Sequence, residues 1–174
     1  KINVPYVLEL DQEIKIYEKI LGRSNFEGHI APHTIKIASM FSVMSRLKVS
    51  QKCDLLTKMK IYNGDDVIEK GRVKKVDIKD LREEAPNEGM SGISTRFIMK
   101  AIDNALSDSE TGMITPISVM SSLAKQTKEQ LINEEFKAHC LEIIQKIVRE
   151  EYLKILENEV AKADNIENQD LNKK

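Results

Sequence analysis

The stretch of residues 35–47 constrains the fold of this chain more than any other. Ile35, Ile37, Ala38, Met40, Phe41, Val43, Met44 and Leu47 are apolar, and at about 3.6 residues per turn they occupy most of a helix's circumference. A helix apolar on nearly all sides has to be covered on several of them. The pattern predicts a central helix over residues 32–48, with Pro32 in its first turn, where a missing N–H costs little. Other helices must pack around it.

The rest of the chain supplies such partners. With 7 Gly and 4 Pro in 174 residues, an all-β sandwich lacks its tight turns. Charged residues make up 32% and hydrophobic ones 41%, which suits amphipathic helices with one solvated face. Asp11 reads as the cap of a helix ending at Gly22, with Ile14, Tyr17, Ile20 and Leu21 inward. Residues 54–62 read as a short helix stopped by Asn63-Gly64, and Asp77 caps another that Pro86 ends. A helix over 95–107 turns Ile98, Met99, Ile102, Ala105 and Leu106 inward, and Thr115-Pro116 opens the next. A long helix over 133–163 repeats Leu141, Ile144, Val148, Tyr152 and Ile155 at helical spacing. Before them all, residues 4–10 read as a strand, with β-branched and aromatic content and Pro5. A single strand cannot bury itself, so it should pair with something outside this chain or lie as an arm. Residues 63–77 read as a loop or hairpin, its Lys70, Arg72, Lys74 and Lys75 a solvated cluster. The polar residues after Asp164 predict a disordered tail.

Several functions are disfavoured. The net charge of −1 provides no field for nucleic acid, and no apolar run suits a membrane. Cys53 and Cys140 lie far apart without a CxxC motif, which predicts a reduced, cytoplasmic protein. Lys1 leads directly into an apolar segment, which predicts a piece of a longer polypeptide. A phosphate loop, GxGxxG, VAIK, HRD and DFG are all missing, so no catalytic residue is assigned. His29 and His33 are four apart, but Pro32 separates them and no carboxylate completes a set, so no metal site is assigned. His139 and Cys140 are adjacent and point differently, a poor Cys–His pair.

One short stretch invites a ligand: Gly92-Ile93-Ser94-Thr95-Arg96. Arg96 falls in the first turn of its helix, where the helix dipole disfavours a cation by a few tenths to about 1 kcal/mol. A guanidinium beside free N–H groups suits an anion. Arg96 is therefore a candidate phosphate contact. The alternatives are a solvated surface arginine, or an ion pair with Glu83, Glu84 or Glu88.

Several stretches, in order, resemble one family. Val4-Pro5-Tyr6-Val7-Leu8, followed by Glu13-Ile14-Lys15-Ile16-Tyr17-Glu18-Lys19, resembles a segment of the PrkA-type bacterial serine protein kinases. So do His29-Ile30-Ala31-Pro32-His33-Thr34 and Phe41-Ser42-Val43-Met44-Ser45-Arg46-Leu47, the latter with Met44 and Ser45 as departures. Lys60-Ile61-Tyr62-Asn63-Gly64 and Glu88-Gly89-Met90-Ser91-Gly92-Ile93-Ser94-Thr95-Arg96-Phe97 continue the resemblance. It implies a parent with an AAA+ ATPase core and a C-terminal region named for distant kinase similarity. The implied fold is mainly α: a helical AAA+ lid-like bundle with one short N-terminal strand and a long C-terminal helix. Residues 1–10 would be a strand of the core, 11–126 the lid, 127–163 a helix linking to the C-terminal region, and 164–174 a disordered tail.

A G-S-R pattern at a lid helix start is similar to sensor 2 of AAA+ proteins. That implies that Gly92, Ser94 and Arg96 bind nucleotide, with Arg96 reaching its terminal phosphates. Ile114-Thr115-Pro116 is similar to the helix start that follows sensor 2 in MoxR-like relatives. ATP and magnesium are implied for the full-length protein, with none held tightly by this stretch alone. The implied partners are the ATPase core and C-terminal region of the same polypeptide, a protein substrate and, at full length, further copies of itself. The rival expectation is a helical protein–protein interaction module without a nucleotide role, binding through the Leu141 to Ile155 stripe.

Overall fold

A computed structural model describes residues 4–24, 26–69, 72–73 and 76–171. Residues 4–9 lead into helix α1 (Leu10–Arg23). A two-residue strand β1 (His29–Ile30) precedes α2 (Thr34–Met44) and α3 (Leu55–Asn63). Strands β2 (Ile68–Glu69) and β3 (Arg72–Val73) pair as a small antiparallel hairpin. Then come α4 (Ile78–Glu84), α5 (Thr95–Ser107), β4 (Met113–Ile114) and α6 (Pro116–Gln130). The last element is one long rod: α7 (Glu134–Glu142), a π-helical stretch (Ile143–Val148) and α8 (Arg149–Leu171).

Helix α2 stands at the centre, as its all-round apolar pattern requires. Every residue from 37 to 47 is buried. Helices α1, α3, α5, α6 and the π stretch all pack on it. They contribute Tyr17, Met59, Ile98, Leu123 and Ile144 to a shared core. Beside the start of α2, β1 pairs in parallel with β4, His29 opposite Met113 and Ile30 opposite Ile114. This short ladder holds the entrances of α2 and α6 side by side. The caps read at Asp77 and Thr115 are in place: Asp77 accepts the Lys79 amide, and Thr115 forms a capping box with Ser118. Asp54 and Ser94 cap their helices in the same way, each accepting a first-turn amide. Gly64, at φ +83, ends α3 in the left-handed conformation that suits glycine.

Some expectations need correction. The strand expected over residues 4–10 is not formed within this chain: the segment has no ladder partner among the described residues, and Leu10 already begins α1. Its Tyr6 amide bonds the Gly89 carbonyl instead, at 2.8 Å. Glu9 rather than Asp11 occupies the N-cap position of α1, without a side-chain cap bond; the Asp11 amide donates to Asn63 Oδ1 instead, and the helix runs past Gly22 to Arg23. Ile20 faces outward, and Glu13 is buried in its stead. Helix α2 starts after Pro32, at Thr34, because His33 adopts a left-handed φ of 65°. The terminal rod continues to Leu171 instead of giving way at 164 to disorder; a polar sequence without Gly or Pro can still propagate a helix. The side chains of the Lys70, Arg72, Lys74 and Lys75 cluster lie outside the described residues. Among the described residues no helix is long and apolar enough to cross a membrane.

Met44 is fully buried on α2. Met44→Ala leaves a cavity there and is expected to cost about 2–5 kcal/mol. A urea denaturation midpoint equal to wild type would contradict its central position.

Candidate functional site

Arg96 is exposed in the first turn of α5 and has no hydrogen-bond or ion-pair partner among the described residues. Two of the carboxylates weighed as its partner are engaged elsewhere. Glu84 accepts from Ser50 Oγ at 2.6 Å and the Gln51 amide at 3.0 Å, and Glu88 is buried in a network described below. Ser94 caps α5, its Oγ accepting from the Phe97 amide at 3.3 Å. The amides of Thr95 and Arg96 have no intrahelical acceptor, as at any helix start. The turn thus sets two N–H groups without an intrahelical acceptor beside an exposed guanidinium, a donor set that suits an oxyanion.

Gly92 plays a different part from the other two. Its φ is +129°, and a Cβ there would lie 2.6 Å from Arg46 Cγ and 3.0 Å from Arg46 Cα. The turn approaches α2's end too closely for any side chain. Gly92 sets the path of the turn, and Arg46 is what it is set against.

Arg46 is 2% exposed. Its Nη2 donates to Glu13 Oε1 at 2.7 Å and to Ser42 Oγ at 2.7 Å; its Nη1 donates to Glu13 Oε2 at 2.8 Å and to the Val7 carbonyl at 2.9 Å. Both Nε and Nη2 reach the Ile93 carbonyl, at 3.2 and 3.1 Å. The Tyr6 ring covers the guanidinium at 4.7 Å. Glu13 also accepts from the hydroxyls of Tyr17 and Ser42. Burial alone would raise the Glu13 pKa. The Arg46, Tyr17 and Ser42 donors outweigh it and hold the carboxyl below its usual range. Burial and the adjoining carboxylate push the Tyr17 phenol far up.

A second buried pair holds the same loop from its other end. Lys58 Nζ donates to Glu88 Oε1 at 2.6 Å and to the Lys48 carbonyl at 3.0 Å. Tyr62 OH donates to Glu88 Oε2 at 2.7 Å. Between the two pairs, the Gly89 amide bonds the Arg46 carbonyl and the Ile93 amide bonds Ser45 Oγ. Residues 88–93 are therefore pinned at both ends and in the middle. Sequence reading missed Glu13, Arg46, Lys58, Tyr62 and Glu88 as a group. The available signal was a charge inside an apolar run (Arg46) and a carboxylate one helical turn before a core tyrosine (Glu13).

An open cleft of about 580 Å³ adjoins the turn, lined among others by Lys48, Ser91, Gly92, Asn133, Phe136 and His139. Cys140 faces the core rather than this cleft, and burial pushes its thiol up to about 12, which removes it as a nucleophile at neutral pH. His29 sits on β1, while His33 Nε2 reaches Glu159 Oε1 at 2.7 Å. No group of three or more His, Cys, Asp or Glu among the described residues could hold a metal ion.

Comparison with known proteins gives two adjoining matches. A family model described as the PrkA AAA domain matches residues 1–54, and one described as the PrkA serine protein kinase C-terminal domain matches residues 56–173. The "ATP-dependent protease PrkA" of Bacillus subtilis (strain 168) is 37% identical over 164 residues, covering 92% of this chain and 25% of that protein. The "Serine/threonine kinase YeaG" of Escherichia coli (strain K12) is 30% identical over 165 residues, covering 93% of this chain and 26% of that protein. The chain thus spans about a quarter of the length of these curated relatives. No solved structure matches. Gly92, Ser94 and Arg96 lie in the part matched by the C-terminal model, while Glu13 and Arg46 lie in the part matched by the AAA model.

The lowered Glu13 pKa makes a signed prediction. A carboxyl whose folded pKa lies below its unfolded value near 4.5 contributes stability that is complete above that value and is lost as pH falls through the folded pKa. Glu13→Gln should cost about 3–5 kcal/mol near neutral pH by stranding the Arg46 charge. It should also remove the Glu13 part of the acid loss below pH 4.5. Denaturation midpoints for both proteins from pH 7 to pH 3 test this; parallel pH profiles would refute it.

Proposed function

The chain belongs to the PrkA serine protein kinase family, and from that premise we propose that it is the nucleotide-sensing lid and linker of a longer ATP-using polypeptide. In this reading the chain closes over ATP bound mainly by an AAA+ core. It relays that state along its terminal rod toward the remainder of the C-terminal region. Arg96 contacts the terminal phosphates, Ser94 shapes the helix start that receives them, and Gly92 lets the turn pass over Arg46.

One observation carries the proposal: an exposed arginine without a protein partner among the described residues, on a helix start that two buried ion pairs fix in place. Placing a cation at the positive end of a helix is unfavourable without an anion, and a terminal phosphate would relieve it. The donors present fit ATP's phosphate oxygens. Magnesium has no set of three ligands here among the described residues, so the proposal assigns it to the phosphates and to groups outside this chain.

The relatives' printed names differ, one a protease and the other a kinase. A nucleotide-sensing role is compatible with either, since it concerns ATP and not the final acceptor. We assign no catalytic residue to this chain, and no turnover of Mg-ATP or phosphorylation of casein is expected from it alone. Turnover abolished by a point change within residues 1–174 would overturn the lid assignment.

The interaction-module alternative draws less support. On the rod, Ile144 and Val148 are buried and Tyr152 packs against the core. The stripe that would bind a partner is largely spent on the chain's own core.

Arg96→Ala separates a phosphate contact from a structural arginine. Losing one charged hydrogen bond should weaken ATP affinity of the full-length protein by about 1.5–3 kcal/mol, roughly ten- to a hundredfold. The thermal midpoint of this chain should hold or rise slightly, because a cation leaves the helix N-terminus. Unchanged ATP affinity would remove the assignment, and unfolding of the chain would make Arg96 structural.

A further inference from the structure

We infer that Arg46 is a positioning residue that couples the N-terminal segment, residues 4–8, to the Arg96 helix start. The inference rests on the reading of Arg96 as a phosphate contact. It adds a second residue, one that never touches nucleotide, and a direction of influence.

The same guanidinium serves both sides. Toward the N-terminal segment, Nη1 holds the Val7 carbonyl at 2.9 Å, and the Tyr6 ring lies over the plane at 4.7 Å. Toward the turn, Nε and Nη2 hold the Ile93 carbonyl, immediately before the Ser94 cap. The Arg46 backbone takes part as well. Its carbonyl accepts the Gly89 amide at 3.3 Å, and the Gly89 carbonyl in turn accepts the Tyr6 amide at 2.8 Å. The missing side chain of Gly92 lets the turn rest directly on Arg46 Cα. Glu13 fixes the fork from α1 with both carboxylate oxygens. A shift of residues 4–8 therefore either breaks these contacts or carries Ile93, and the first turn of α5, with it. A lysine could keep the charge but not the fork, since it has no planar set of donors to span Val7, Glu13 and Ile93 at once.

A mutant cycle for ATP hydrolysis by the full-length protein tests this. The variants are Arg46→Lys, Tyr6→Ala, Ser45→Ala, Arg96→Ala, and each of the first three combined with Arg96→Ala. Tyr6→Ala lies at the surface and Ser45→Ala keeps the ion pair, so the test survives if Arg46→Lys fails to fold. Each of the first three should raise KM for ATP by about 2- to 30-fold, the range for coupling through a packed network. The kcat per folded molecule should be retained. In the Arg96→Ala background the same changes should raise KM clearly less than in wild type, because part of what they displace is the Arg96 guanidinium. A merely structural role would lower the folded fraction and so apparent kcat, and would add to Arg96→Ala. If Arg96→Ala raises KM but the other changes leave it unchanged, or multiply with it, the coupling is overturned and the phosphate contact stands. If Arg96→Ala itself is silent, the phosphate contact falls and the coupling with it.

Discussion

One buried ion pair, Arg46 with Glu13, joins α1, the end of α2, the N-terminal segment and the turn before α5. Moving an arginine and a glutamate out of water costs several kcal/mol per ion, and only close geometry with every remaining donor satisfied offsets that cost. Arg46 and Glu13 meet this condition. The carboxylate takes the fork with both oxygens, two hydroxyls complete its shell, and the guanidinium's other bonds go to the Ser42 hydroxyl and to the Val7 and Ile93 carbonyls. A hydrophobic pair could fill the same volume. It could not hold the Val7 and Ile93 carbonyls, and the buried Ile93 carbonyl would be left without a side-chain donor. The pair therefore specifies how α1, α2, the N-terminal segment and the turn before α5 meet. The Lys58–Glu88 pair repeats the device at the other end of that loop.

These networks also cross the boundary between the two family matches. Glu13 and Arg46 fall before residue 54; Lys58, Glu88 and Ile93 fall after 56. Helix α2 packs against α1 on one side of that boundary and against α3, α5 and α6 on the other. The two matched regions share a core in this chain, and no linker separates them.

Local chemistry was the legible part of the sequence. Caps at Asp77 and Thr115 act within three residues of themselves, so a linear reading finds them. The burial of α2 was legible because its whole circumference is apolar. Glu13 and Arg46 were not, since their partnership spans 33 positions and a charge within an apolar run has no address until the chain folds. The same holds for Gly92, whose need for a missing Cβ comes from Arg46 across the loop. Residues 4–9 have strand-like composition, and among the described residues their backbone contact outside α1 is the Gly89 carbonyl, which accepts the Tyr6 amide. Arg96 could be singled out because the conflict between its charge and the helix dipole is local.

The π-helical stretch in the terminal rod has a geometric consequence. Such a stretch accommodates about one residue more than the α-helix it interrupts. If it relaxed to α-helical winding, everything beyond it would turn by about 100° around the rod axis. Glu151 now faces Lys60 at 2.6 Å, and Glu159 faces His33 at 2.7 Å. Neither pair is deeply buried, and each contributes little to stability by itself. Both, however, depend on angular phase: they form only while the extra residue stays wound into the stretch. A slip of one residue between Ile143 and Val148 would therefore change which face of α8 is turned toward Lys60 and His33.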